Sequence, residues 1–256
     1  MRKFYLGILL ALMVLSAGCI SSEGTSTTTP STTTAPPNLP FTAQDLENAV
    51  KSLKSYEYTM TVDSYNGTKL AFQLKTTGAI DFERGIKSTV TVSNGTLKGP
   101  VYYKTYYYTT ATGYATLTDR NGTVVWEASC YGPGQGPNLT TSILDNVWKV
   151  LTLPGVQVEN EGDYYIISAN LTGGTFEVGT ENMDVYRGQL EVKVTKKLIP
   201  VEIKQTAYYT RGNEKWVDVI TIEIMNVNSA NVEPPEGLVQ YLKEQGIDLE
   251  KLLAQC

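Results

Sequence analysis

The 256-residue chain has no histidine. That absence excludes Ser-His-Asp and Cys-His catalysis and every His-ligated metal site. Cysteine is scarce, with three in all, so a four-Cys zinc site is excluded too. No block of Lys or Arg occurs anywhere, and the formal charge is −5. Phosphate backbones need clustered cations, so nucleic acid is not an expected partner. Neither a cofactor nor a metal is expected. Phenylalanine is rare, at five, while tyrosine reaches seventeen.

The start of the chain has the three parts of a secretory signal. Arg2 and Lys3 are basic, Phe4 to Leu15 is almost wholly apolar, and Ser16, Ala17 and Gly18 are small. The run Leu15-Ser16-Ala17-Gly18-Cys19 resembles the lipobox of prokaryotic lipoproteins. The leucine stands four residues before Cys19, where three is usual; some archaeal lipoproteins share the longer spacing. The resemblance implies cleavage after residue 18, lipid on the Cys19 thiol, and a mature protein held on the extracytoplasmic face of the cell membrane. An ordinary signal peptide or an uncleaved anchor is the alternative. Removing residues 1–18, which hold Arg2 and Lys3 and no acid, moves the formal charge from −5 to −7.

Residues 19–40 read as a solvated stalk. From Thr25 to Thr34 there are seven Thr, two Ser and one Pro. Such a segment cannot bury enough surface to offset its ordering entropy. Extended at about 3 Å per residue, it reaches roughly 60 Å from the bilayer. It is either an O-glycosylated stalk or a bare linker.

Residues 41–256 suit one medium domain or two small ones, and a single domain is expected. With Cys19 assigned to lipid, Cys130 and Cys256 remain, and in an oxidising compartment they read as a disulfide. Two free thiols, or a bridge between molecules, are the alternatives. Five N-glycosylation sequons begin at Asn66, Asn94, Asn121, Asn138 and Asn170. The first three are Asn-Gly pairs, which also suit tight hairpin turns without any sugar.

Periodicity sets the element order. Phe41 to Leu53 has helical spacing at Leu46, Val50 and Leu53, with Thr42 and Asp45 placed as a capping pair. Tyr56, Tyr58, Met60 and Val62 alternate with polar residues, a strand with one wet face. Leu70, Phe72 and Leu74 lead a second strand; Ile86 to Val92, Val101 to Thr109, Tyr114 to Thr118 and Thr123 to Cys130 follow as a meander. Tyr131 to Pro137 breaks regular structure. A helix is expected over Thr141 to Leu151. Five more strands are expected at Tyr164–Ala169, Thr175–Val178, Gln189–Thr195, Pro200–Tyr208 and Lys215–Met225. Pro234-Pro235 opens a last helical stretch, and Leu249 to Leu253 forms a final turn. The expected fold class is α+β: a large curled antiparallel sheet of about 10–11 strands, a half-open β-barrel, with helices covering one face.

That order resembles the LolA/LolB and LppX lipoprotein-carrier family. The run Leu198-Ile199-Pro200-Val201-Glu202-Ile203, then Val217 to Asn231, then Val232-Glu233-Pro234-Pro235 is similar to the family's C-terminal pattern. The resemblance implies a non-enzymatic carrier for a lipid or other amphiphile, and it transfers no catalytic residue. The expected cavity lining, from apolar phases of successive strands, is Met60, Phe72, Leu74, Val92, Tyr103, Trp126 and Ile222; all would serve equally as packed core.

Three rival chemistries are weaker. Gly132-Pro133-Gly134-Gln135-Gly136 precedes a helix, but a phosphate loop needs a βαβ unit, and prolines remove donors. Glu159 and Glu161 at a turn, and Glu181 and Asp184 in an expected loop, are the acid pairs a glycosidase would use; solvated surface acids are the simpler reading. Tyr102, Tyr103, Tyr106, Tyr107 and Tyr108 put aromatics on both faces of one strand. One face could therefore be an interaction platform for a protein or glycan, in an envelope sensing module.

Overall fold

The computed structural model describes residues 39–95, 101–132, 134–137, 139, 143–144, 147–153, 155–178 and 181–256. The signal, Cys19, Asn138 and nearly all of the stalk lie outside them.

Helix α1 spans Ala43–Lys51. Its start is the expected capping box: Asp45 N–H donates to Thr42 Oγ1 at 3.1 Å, and Thr42 N–H donates to Asp45 Oδ2 at 2.8 Å. The helix buries Leu46 and Val50.

Eleven strands follow. They are β1 Ser55–Asn66, β2 Lys69–Asp81, β3 Ile86–Gly95, β4 Val101–Thr109, β5 Gly113–Arg120 and β6 Thr123–Cys130, then β7 Gln157–Glu161, β8 Tyr164–Val178, β9 Glu181–Thr195, β10 Pro200–Arg211 and β11 Glu214–Met225. They form one sheet in the order β6-β5-β4-β3-β2-β1-β11-β10-β9-β8-β7. Every described pairing is antiparallel. Each wing is a meander, and β1 joins β11 at the centre. The outermost strands β6 and β7 do not pair, so the sheet is open. The α+β class and the strand number agree with the sequence reading.

The register sorts side chains onto two faces. On the first face, Tyr58, Met60 and Val62 lie beside Ile224, Ile222 and Ile220, and Ile222 continues to Ile203, Val192 and Ile167. Leu46, Val50 and Leu53 from the α1 region cover this layer, with Leu144, Val147, Val150 and Leu151 beside them. On the second face, Ile86, Tyr108, Ala115 and Leu117 form another cluster. It is covered by α2, Glu236–Glu244, and α3, Leu249–Ala254, through Leu238, Leu242, Leu249 and Leu253.

The helical cover is therefore divided between the two faces rather than gathered on one. The cause is phase. Tyr106 and Tyr108 face Leu117 and Ala115 on the side opposite Tyr58 and Met60. An apolar sheet face must be covered, and these two apolar stretches point in opposite directions.

The disulfide between Cys130 and Cys256 is present, with a Cα–Cα distance of 5.0 Å. It fixes the end of α3 to the end of β6. Thr112 Oγ1 adds a bond to the Leu253 carbonyl at 3.2 Å.

Four local expectations change. The helix expected at Thr141–Leu151 is, where described, a 3-10 helix over Val147–Thr152. Leu144, Val147 and Val150 are all buried at a spacing of three, the 3-10 repeat. Leu70 is exposed and Ala71 buried, because a bulge between Ser64 and Tyr65 shifts the β1–β2 register. Tyr164–Ala169 and Thr175–Val178 belong to one strand, β8, and its partner β9 begins at Glu181. Glu181 and Asp184 thus lie on a strand instead of in a loop. The edge strand β7 has a single apolar residue, Val158, and no periodicity announces it.

Two glycines mark close approaches. A Cβ on Gly78 would lie 2.7 Å from the Tyr58 ring, which rests on the sheet there. A Cβ on Gly237 would lie 2.5 Å from the Tyr106 ring, where α2 meets β4.

Candidate functional site

Three surfaces qualify. The first is the apolar layer beneath α1 and the 3-10 helix. Met60, Leu74 and Ile222 are buried in it and Phe72 packs against it. Tyr103 points the same way but lies two strands out, facing Ser93 and Arg120. Val92 is on the opposite face between Lys75 and Lys104. Trp126 faces Leu117 and packs against the second cluster. The structure thus brings four of the seven candidate residues together.

The apolar layer ends in polar groups. Ser64, Asp218 and Ala207 form the row beyond Val62, Ile220 and Gln205. Gln205 is 3 % exposed within an otherwise apolar row. Tyr209 Oη donates to Asp218 Oδ1 at 3.1 Å. Burial pushes the Asp218 carboxyl above the usual range, against hydrogen bonds from Ser64 and Tyr209 that lower it. The Trp216 ring stacks on Tyr209 at 6.4 Å between centroids. Its buried Nε1–H has no hydrogen-bond partner among the described residues. Sequence reading missed this group. Its signal was a single polar residue in each apolar phase: Gln205 between Ile203 and Ala207, and Asp218 between Trp216 and Ile220.

The second surface is the first face of the β2–β5 wing, opposite α2 and α3. Thr76, Thr91, Thr105 and Thr118 stand in one row across four strands. Their hydroxyls bond in pairs, Thr76 to Thr91 at 3.0 Å and Thr105 to Thr118 at 3.4 Å. Beside them Tyr107 stacks on Tyr114 at 6.2 Å, Tyr114 meets Tyr131 at 5.9 Å, and the Tyr131 hydroxyl bonds Thr109 Oγ1 at 2.7 Å. Burial first, then the Tyr131 hydrogen bond, pushes the Tyr107 hydroxyl up to about 12. The five crowded tyrosines separate: Tyr103 and Tyr107 join this face, while Tyr106 and Tyr108 pack with the second cluster. Tyr102 lies exposed at the rim.

The third is a polar cleft of about 350 Å³ on the second face of the other wing. Gln157, Ser168, Asn170, Gln189, Glu191 and Lys204 contribute to its lining. Asn170, a sequon residue, is therefore exposed on a strand. Asn121 sits at the β5–β6 turn, where its Oδ1 accepts from Tyr102 N–H at 2.8 Å. Asn66 and Asn94 close β1 and approach the end of β3.

Glu159 and Glu161 are exposed on β7. The side chains of Glu181 and Asp184 lie outside the described residues. Among the described residues no group of three or more metal-ligating side chains gathers, and no helix is long and apolar enough to cross a membrane.

No protein-family profile matches the chain, and no curated protein does. Among solved structures, it is similar to a LolA superfamily protein from Nitrosomonas europaea: 9 % identity, 75 % of this chain and 96 % of that one, TM-score 0.25. It is also similar to a beta-barrel-like protein of a domain of unknown function from Brucella abortus: 8 % identity, 67 % of this chain and 97 % of that one, TM-score 0.24.

Proposed function

We propose that this chain is a non-enzymatic binding protein for a lipid or other amphiphile, held by a lipid on Cys19 at the extracytoplasmic face of the cell membrane. One observation carries the reading. Among the described residues, the apolar face of β1, β2 and β8–β11 is covered chiefly by one nine-residue helix and one six-residue 3-10 helix with Leu144 beside it, and it ends in buried polar groups. Displacing so small a cover would expose an apolar bed for an acyl or isoprenoid chain. Gln205, Asp218 and the Trp216 N–H would meet the ligand's polar end. An amphiphile needs both kinds of surface side by side.

The test is native mass spectrometry of the intact protein, purified from its own membrane without delipidation. The reading expects a discrete added mass that organic solvent removes, besides the covalent anchor. A bare body carrying only that anchor overturns it. The threonine and tyrosine face supports a second reading, a sensing module that docks a glycan or protein there. That reading expects Tyr107→Ala to abolish partner cross-linking while the far-ultraviolet spectrum of the folded sheet is retained.

A further inference from the structure

The two sheet edges are built differently. Edge strand β7 is five residues long and reads Gln-Val-Glu-Asn-Glu. Short length and like charges are the usual protection of an edge against pairing. Edge strand β6 has eight residues, Thr-Val-Val-Trp-Glu-Ala-Ser-Cys, with no Lys, no Pro and one acid. Val124 is 39 % exposed and Val125 62 %. Where it is described, the chain leaving β6 runs to the β4–β5 turn. Tyr131 N–H bonds the Thr112 carbonyl, and Gly136 lies beside Ala111, at the β4–β5 turn.

The hairpin geometry says which backbone groups face outward. Arg120 pairs with Thr123 across Asn121 and Gly122, both at positive φ, 49° and 84°. In a two-residue hairpin of this type the flanking pair is hydrogen-bonded. Thr123, Val125, Glu127 and Ser129 therefore bond inward to β5. Val124, Trp126 and Ala128 turn their N–H and C=O groups outward. Such a row is recognised by another extended strand.

We propose that β6 pairs antiparallel with β6 of a second copy of this chain, so that two open sheets continue into one. The strand is self-complementary about a two-fold axis at Val125. Val125 then faces Val125 of the second copy, and Val124 lies against Trp126. Glu127 faces Thr123, never another Glu127. It enters the row of Arg120, which pairs with Thr123 on the other side. A contact of one strand per copy falls below the roughly 1,200 Å² of stable interfaces, so the dimer is reversible. The proposal is independent of the ligand reading.

Cysteine cross-linking of the full-length protein in its own membrane tests it. At a non-hydrogen-bonded antiparallel pair the Cα atoms stand about 4.5 Å apart, within disulfide range. Val125→Cys is expected to run mostly as a covalent dimer on non-reducing gels. The two Thr123 positions lie four residues apart, roughly 13 Å, so Thr123→Cys stays monomeric. Val125→Lys is expected to remove the dimer that the otherwise unaltered, detergent-extracted protein forms in sedimentation velocity. Both positions are exposed, so folding is spared. A monomeric Val125→Cys, equal cross-linking at both positions, or a different protein captured at Val125 each overturns the proposal.

Discussion

The two wings of the sheet solve the same problem with opposite faces. The wing of β8–β11 puts its apolar residues under α1, at the start of the domain, and the 3-10 helix, in its middle. The wing of β3–β5 puts its own under α2 and α3, at the end. What each leaves uncovered differs as well. The β9–β11 wing exposes ionic side chains, with Lys204 bonded to Glu202 at 2.8 Å and Glu223 and Lys193 alongside. The β2–β5 wing presents half-buried tyrosine rings and a threonine row, of which Thr76 is buried. A charged face stays solvated, whereas a neutral aromatic one is available to a partner. The molecule thus carries a charged face on one wing and a neutral, aromatic face on the other, on opposite sides of one sheet.

The sharpest way to break this comparison is to cut the tie that belongs to one wing only. Cys256→Ser removes the Cys130–Cys256 bridge, which spans a sequence separation of 126. The loop-entropy estimate is about 4–5 kcal/mol, an upper limit. Hydrogen exchange should rise in β5, β6, α2 and α3 well before it rises in β9–β11. Equal loss in both wings would mean that they unfold as one unit.

Next comes a matched pair of core truncations. Leu242→Ala and Leu46→Ala each empty a fully buried site, one per cluster. Each should cost about 2–5 kcal/mol in denaturant unfolding. If the wings are independent, the double variant loses the sum; coupling would appear as a departure beyond about 0.5 kcal/mol.

Gly237→Ala should cost less, about 1–3 kcal/mol, because the Tyr106 ring must move aside. Ala is otherwise the better helix residue, so the sign of the change reports the contact directly. Pairing it with Tyr106→Leu should restore the loss, as read from the thermal midpoint.

The smallest effect is a pH dependence in the other wing. Asp218 has a raised folded-state pKa, so the folded protein binds its proton more tightly than the unfolded chain does. Its contribution to stability is full below the unfolded value, near 3.8, and is lost as pH rises through the folded value. Asp218→Asn should therefore be more stable than the native chain at pH 7, with the gap closing on acidification. A gap that widens toward low pH would reverse the assignment.

Much of the architecture was legible because sheet periodicity is local. Tyr56, Tyr58, Met60 and Val62 alternate with polar neighbours, and that alternation is the observed burial. Asn121-Gly122 set its hairpin through turn chemistry alone. The division of the helices was not legible. Strand β4 has tyrosines in both phases, so its sequence does not say which face meets a helix. That is decided by the β1–β11 pairing, which places the C-terminal segment behind β4 and β5. Two of the candidate lining residues separate for the same reason: Val92 and Trp126 satisfy the apolar pattern of their strands, but point away from Met60. The Asp218 group was visible only as an interruption, and an interruption gains meaning once neighbouring rows are known.

The central seam also dictates an order of assembly. Within each wing, nearly every strand pairs with the strand next to it in sequence, so these hairpins close over short loops as soon as both halves exist. The seam is different: Tyr58 must wait for Ile224, which is made last but for the closing helices. The segment that carries α3 to β5 and Cys256 to Cys130 follows β11 in the chain. Among the strand pairings the seam joins the residues farthest apart in sequence, the kind of contact that slows folding. A chain stopped short of β11 would leave β1 as an unprotected edge, so residues 214–256 are the ones that complete the sheet.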